Sequence, residues 1–265
     1  MLKKLMFGFA GLLLILAVGM NFLVSNIGSY VKTAIVKYGS EATKAEVGLD
    51  RVRLSLGTGK GAGALDNFTL GNPAGFSPSK AISIKFVSLQ LDTNSIGGNG
   101  PIVIRTIEID NPQIAYELNN DGSSNLQTIQ RNTQDYANSF RDDVPAGPDA
   151  AKTGPGTSPR KVIINDLLIK NGHVSISQAS LKGQQLTTTL PTIHLTDIGQ
   201  AGGGATVAQV AEQILGSISS EAAQAAVTEL AKQKINGAIK DVPGAAIGGA
   251  AIDNVGGQLK GLLGK

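Results

Sequence analysis

One short phrase recurs six times between Val47 and Ile198: an aliphatic residue, two residues, an apolar residue, one residue, another apolar residue. The copies are Leu49-x-x-Val52-x-Leu54, Leu65-x-x-Phe68-x-Leu70, Ile84-x-x-Val87-x-Leu89, Ile104-x-x-Ile107-x-Ile109, Ile164-x-x-Leu167-x-Ile169 and Leu190-x-x-Ile193-x-Leu195. Side chains alternate across a strand, so the last two apolar positions of each copy share a side. The first has opposite parity and must precede a bulge or face the other way. Irregular spacing between copies argues against a solenoid of fixed period. The expected sheet is an antiparallel meander with one apolar face, which helices or a partner must cover or a ligand must fill.

Two stretches match over thirteen positions, 104–116 and 164–176. Each carries an asparagine after its phrase, Asn111 before Pro112 and Asn171 before Gly172, and Ile114 and Tyr116 correspond to Val174 and Ile176. Asn171-Gly172 tolerates positive φ and favours a tight hairpin turn, Asn111-Pro112 supplies a different turn, and the two stretches read as equivalent hairpins. Gly57, Gly59, Gly61 and Gly63 read as a hairpin connection between strands at 47–56 and 64–71. They are not a phosphate loop, because Lys60 is followed by Gly61 where that motif requires Ser or Thr.

Helical signals lie around this region. Ser124-x-x-Gln127 and Thr206-x-x-Gln209 have capping-box spacing. Leu126, Ile129, Thr133, Tyr136 and Phe140 continue at roughly helical intervals after the first. After the second, one apolar face runs from Val207 to Ile218 and another from Val227 to Ile239, separated by Ser217–Ser220, which predicts two helices or one kinked helix. Residues 141–160 are rich in Pro, Gly, Ala and Asp and read as a flexible loop. The tail beyond Val242 is rich in Gly and Ala, and its eleven-residue apolar run to Ile252 is too short to span a bilayer.

The N-terminus has another character. Residues 5–24 contain no charge and are long enough to cross a bilayer core as a helix, and Lys3 and Lys4 favour a cytoplasmic N-terminus. Ala17-Val18-Gly19 resembles a signal-peptidase site, but the apolar run continues past it and exceeds the usual length of a signal peptide's core, so an uncleaved anchor is preferred. Ile27, Tyr30, Val31, Ala34, Ile35 and Tyr38 then fall on one helical face. That face is expected to pack on the domain or to lie on the membrane, with Lys32 and Lys37 toward headgroups.

Chemistry is sparsely signalled. The chain has no Cys or Trp and only 4% aromatic residues, so the core must be aliphatic and no thiol chemistry is available. The net charge of +3 comes from scattered Lys and Arg, which argues against nucleic-acid binding. His173 and His194, the only histidines, lack metal-ligand spacing. No Gly-x-Ser-x-Gly elbow occurs, and Glu108 and Asp110 read as solvated strand carboxylates. No catalytic residue, metal or cofactor is expected.

The helix end VKYGSEAT at 36–43, LDNFTLGNPAGF at 65–76, the stretch 102–129 and INDLLIKNGHVSIS at 164–177 resemble small members of the AsmA-like proteins of Gram-negative bacteria. The likeness covers residues 1–200, and its most specific pieces are Asn72-Pro73-Ala74-Gly75-Phe76 and Ser124-Asn125-Leu126. With the resemblance, the chain is expected to be α+β: a cytoplasmic tip (1–4), an inner-membrane anchor (5–24), a membrane-proximal amphipathic helix (25–45) and a periplasmic β domain (46–200) with a curled, groove-like antiparallel sheet. The helical segment (205–265) lies beyond the likeness and is expected from its own residues. The resemblance also implies an apolar concave lining, with Phe68, Leu70, Ile107, Ile109, Leu167, Ile169, Ile193 and Leu195 as candidates. The expected partners are the membrane, phospholipid and envelope proteins. The expected role is non-enzymatic lipid binding or hand-over in envelope assembly, the alternative being a scaffold that docks a protein through its β-edge or C-terminal helices.

Overall fold

The computed structural model describes residues 27–57, 59–139, 160–178, 181 and 184–240, apart from the side chains of 234 and 236–240. The expected anchor, most of the 141–160 loop and the Gly/Ala-rich tail lie outside these residues. No helix among the described residues is long and apolar enough to cross a membrane. The chain divides into two compact units, 1–226 and 227–265.

The first unit is α+β. Helix α1 (27–43) precedes strands β1 (Val47–Gly48), β2 (Arg51–Leu56), β3 (Gly61–Gly71) and β4 (Lys80–Leu91). A short α2 (Thr93–Ile96) leads to β5 (Ile102–Asp110) and β6 (Gln113–Leu118), and α3 (Asn125–Ser139) follows. Then come β7 (Val162–Lys170), β8 (His173–Gln178), β9 (Leu186–Thr189), β10 (Ile193–Ile198) and α4 (Val207–Lys240), which continues into the second unit.

The ten strands are segments of six long ones. One edge of β4 pairs with both β5 and β6: Val87 faces Ile109 and Ser83 faces Gln113, four residues further along each chain, so the register does not slip. The pairs Ile169–Ile193 and His173–Thr189 relate β7–β8 to β9–β10 in the same way. Gly48–Thr69 and Arg51–Asp66 join β1–β2 along β3. Neighbouring long strands follow chain order, and all pair antiparallel except the β5–β6 and β7–β8 strands, which run parallel.

Two expectations are corrected here. The sheet is mixed, because β7–β8 starts from the same end as β5–β6 and pairs with it in parallel; a parallel pair requires a crossover between its strands. The matched stretches are not hairpins, since β5 and β6 do not pair with each other, nor do β7 and β8. Asn111 and Asn171 do adopt positive φ, 54° and 56°, but each bends a strand without reversing it. The two stretches lie side by side with equivalent residues as partners, Ile104 with Ile164 and Tyr116 with Ile176.

The bends form a line. Asn67 has φ 53° between the paired Asp66 and Phe68, and the interruptions at 49–50, 111–112, 171–172 and 190–192 lie opposite one another across the sheet. Alternation changes phase along this crease. In β4, Val87 and Leu91 are buried on one side of it, and Ile82 and Ile84 on the other. A bulge-like residue re-aims the side chains that follow it, which accounts for the odd parity of the first position in the 49, 65, 84 and 190 copies of the phrase.

The helices close much of the core. Thr206 N donates to Gln209 Oε1 (2.9 Å) and Gln209 N to Thr206 Oγ1 (3.2 Å), the expected capping box. The Ser217–Ser220 interruption does not split α4, which is one helix. Leu126, Ile129 and Thr133 of α3 are buried and Tyr136 is half-buried, while Phe140 lies outside the described residues.

Helix α1 departs from its predicted orientation. A Cβ on Gly28 would strike the Val52 carbonyl oxygen, and one on Gly39 would lie 3.2 Å from Val47 Cγ2. These glycines seat α1 on β1–β2. Ile27, Val31 and Ile35 are half-buried, but Tyr30, Ala34 and Tyr38 face outward. Lys32 also turns to the domain, where its Nζ donates to Asp50 O (2.9 Å).

Candidate functional site

Cross-strand registry turns the sequence phrase into rows. Val52, Leu65, Val87, Ile109, Ile169 and Ile193 are successive partners across all six long strands. Two residues along lies a second row: Leu54, Gly63, Leu89, Ile107, Leu167 and Leu195. Beyond the crease a third runs Val47, Leu70, Ile82, Ile114, Val174 and Thr188. Six of the eight lining candidates therefore meet in the first two rows, Leu70 belongs to the third, and Phe68 lies on the same side of the crease as Leu70.

Burial separates these positions. Leu70, Ile109, Leu167, Ile169 and Ile193 are fully enclosed core residues, whereas Phe68, Ile107 and Leu195 are half-buried. The incompletely covered apolar surface is the second row from Leu54 to Ile107, with Leu54 and Leu89 half-buried beside Ile107, and Leu56 on the same edge strand is 42% exposed. Leu54 and Leu89 were not among the sequence candidates, although each is the final position of a phrase copy. At Gly63, the second position of the row, the Leu89 and Leu54 side chains fill the space over the backbone: a Cβ there would lie 2.5 Å from Leu89 Cδ1 and 3.0 Å from Leu54 Cδ2.

A second concavity, about 330 Å³, lies over the crease between Leu49, Asn67, Phe68 and Ile84, with Lys80 and Lys85 at its margin. The two lysines start roughly 17 Å apart along β4 at ~3.4 Å per residue. That separation is too large for a shared phosphate clamp. Asn67 Nδ2 is committed to Asp50 Oδ2 (2.7 Å).

The two most specific sequence motifs come together in a polar lock. Asn125 is completely buried at the start of α3. Its Oδ1 accepts from Glu117 N (3.0 Å) and Leu126 N (2.9 Å), and its Nδ2 donates to Ala115 O and Asn72 Oδ1, both at 2.7 Å. Asn72 Nδ2 donates in turn to Ser77 O (3.1 Å), and Glu117 accepts from the Ser77 backbone N and hydroxyl. The lock ties the 72–79 loop to the strand–helix junction. Every atom is used internally, so it offers no open ligand position.

The ionisable groups have ordinary explanations. Arg105 hydrogen-bonds Asp92 and lowers its carboxyl pKa, aided by Asn94 N–H, while the Ser123 hydroxyl lowers that of Asp121. Glu108 raises the Lys170 ammonium, and burial followed by the Glu41 carboxylate raises the Tyr136 phenol. Asp110 accepts from Asn171 Nδ2 (2.7 Å). His194 contacts Asp166 and His173 contacts Asn111, both as exposed residues on different parts of the sheet. Among the described residues no three His, Asp or Glu side chains are placed to hold one metal ion. Arg160, at the edge of the expected flexible loop, is ordered: its guanidinium donates to the carbonyls of Ser95, Ile96 and Gly100.

Neither a scan against protein-family models nor searches among curated proteins and solved structures found a match to this chain.

Proposed function

We propose that this is an inner-membrane-anchored, periplasm-facing AsmA-like protein without catalytic activity, which binds or hands over lipid through its half-open apolar row and supports outer-membrane assembly. The carrying observation is the second row, whose members Leu54, Leu89 and Ile107 are incompletely covered across the first four long strands, while the enclosed Leu167 separates them from half-buried Leu195. From Leu54 to Ile107 the half-open part crosses four strands, about 14 Å at ~4.8 Å spacing, close to the ~15 Å that one acyl chain occupies in half a bilayer core. The same length is far too short to join two membranes. Hand-over therefore operates close to one bilayer, where residues 5–24 hold the domain.

The test is phospholipid content. The full chain, extracted in mild detergent, is expected to retain phospholipid detectable by mass spectrometry in excess of that kept by a Leu89→Asp/Ile107→Asp variant. Equal lipid in folded wild type and variant defeats the reading.

Scaffolding has one observation in its favour: among the described residues the β9–β10 strand pairs on one side only and ends the sheet. On that reading a photocrosslinker at Thr187, exposed on β9, captures a defined envelope protein in cells.

A further inference from the structure

We propose that the outward face of α1 is a membrane-surface contact that lays this helix flat in the headgroup layer and so places β1–β2 as the strand nearest the bilayer. The inference rests on the anchoring role of residues 5–24 proposed above. It adds an orientation that anchoring alone does not require.

The packing of α1 fixes which face is free. Gly28 and Gly39 are pressed against Val52 and Val47, too closely for the helix to roll without opening that contact. What remains outward is Ser29, Tyr30, Thr33, Ala34, Lys37, Tyr38 and Glu41. Tyr30 is 57% and Tyr38 53% exposed, two turns apart, and the Lys37 ammonium lies over the Tyr38 ring, 5.5 Å from its centroid. Tyrosine combines an apolar body with a polar tip and concentrates where membrane meets water, and a lysine beside it buries its stem while its charge stays in water.

Length decides the pose. The apolar segment ends at Val24, and Tyr38 comes fourteen residues later, about 21 Å along a helix at 1.5 Å per residue. The headgroup layer on one side of a bilayer is only about 5–8 Å thick. Standing upright, α1 would carry Tyr38 well into water. Lying flat, it brings Tyr30, Ala34 and Tyr38 to one depth. Lys37 and Glu41 cancel on this face and Lys32 is turned to Asp50 O, so the contact of the helix itself is driven by tyrosine.

The orientation has a consequence for the row. Rows cross the strands, so a sheet with β1–β2 toward the bilayer has its apolar row leading outward from the membrane. Its first member, half-buried Leu54, then stands at the entrance, with exposed Leu56 beside it on the same strand.

The chain contains no cysteine, so single-cysteine variants each carry one spin label. In the full chain, reconstituted in phosphatidylcholine–phosphatidylglycerol vesicles, labels replacing Leu12, Ser29, Ala34, Glu41 and Gly97 are compared for collision with oxygen and with a water-soluble nickel complex. The expected pattern is Leu12 in the hydrocarbon core, Ser29, Ala34 and Glu41 all at headgroup depth, and Gly97 in water. Tyr30→Ser/Tyr38→Ser is expected to move the Ala34 and Glu41 labels to the Gly97 value. Leu12 in the core with Glu41 as water-accessible as Gly97 overturns the flat pose and leaves anchoring intact. Leu12 in water overturns both. Protection of Ala34 and Glu41 from oxygen and nickel alike means a protein covers the face, and it also overturns the proposal.

Discussion

Replacing Asn125 with alanine tests the polar lock that organises the junction between β6, the 72–79 loop and α3. The side chain is fully buried and makes four hydrogen bonds of 2.7–3.0 Å. Alanine leaves Glu117 N, Leu126 N and Ala115 O without these partners, while Asn72, at the more open end, regains water. A buried group left unpaired costs about 1–3 kcal/mol, so three of them, partly relaxed, predict a loss of roughly 3–5 kcal/mol. Typical domains have ~5–15 kcal/mol in total, so the effect is a large downward shift in the urea midpoint, read by far-UV circular dichroism because the chain has no tryptophan. Asn125→Asp keeps an acceptor for the two backbone N–H groups but sets an oxygen against Ala115 O and Asn72 Oδ1, and it is expected to be at least as damaging. Midpoints for both variants corresponding to less than ~1 kcal/mol would refute the claim that this network holds the junction.

Other consequences concern the crease, the core and pH. Asn171→Gly is expected to be nearly neutral because glycine accepts φ 56°, whereas Asn171→Val costs about 1–2 kcal/mol by chemical denaturation. Gly172→Ala places a Cβ 2.9 Å from Leu190 Cβ and 3.1 Å from Pro112 Cγ, and the crowding is expected to cost ~1–3 kcal/mol. Leu167→Ala empties a completely enclosed position and should cost about 2–5 kcal/mol, while Leu54→Ala, at the half-open end of the same row, should cost clearly less. Asp92 has a lowered folded pKa, so its contribution is present above the unfolded value near 3.8 and disappears as pH falls through the lower folded value. An NMR titration should place its midpoint below 3.8, and Arg105→Ala should raise it.

The sequence made the strands legible because period-two burial is a local pattern, and the six phrase copies mark the rows that cross the sheet. It also revealed turn signals at Asn111-Pro112 and Asn171-Gly172 but not their outcome: such a signal serves a reversal or a bend equally well, and only partners distant in the chain decide which. The parallel pairing of 104–116 with 164–176 was hidden for the same reason, although their matching apolar pattern places like positions opposite one another in that register. The rotation of α1 depended on two glycines whose close contacts with Val47 and Val52 are non-local. Leu54 and Leu89 were within reach of sequence reasoning, since they end phrase copies as Ile109 and Leu195 do. Their partial exposure was not, because it depends on how far the helices extend over the sheet.

The central claim is that lipid occupies the second row, and a photoreactive amino acid at Ile107 tests it most directly. After irradiation of cells producing the full chain, mass spectrometry is expected to find phospholipid adducts at Ile107 and none at Ser88, whose neighbour in sequence, Leu89, pairs with Ile107 in that row. No adduct at Ile107, in a protein that does form lipid adducts from Leu12 in the anchor segment, would contradict it.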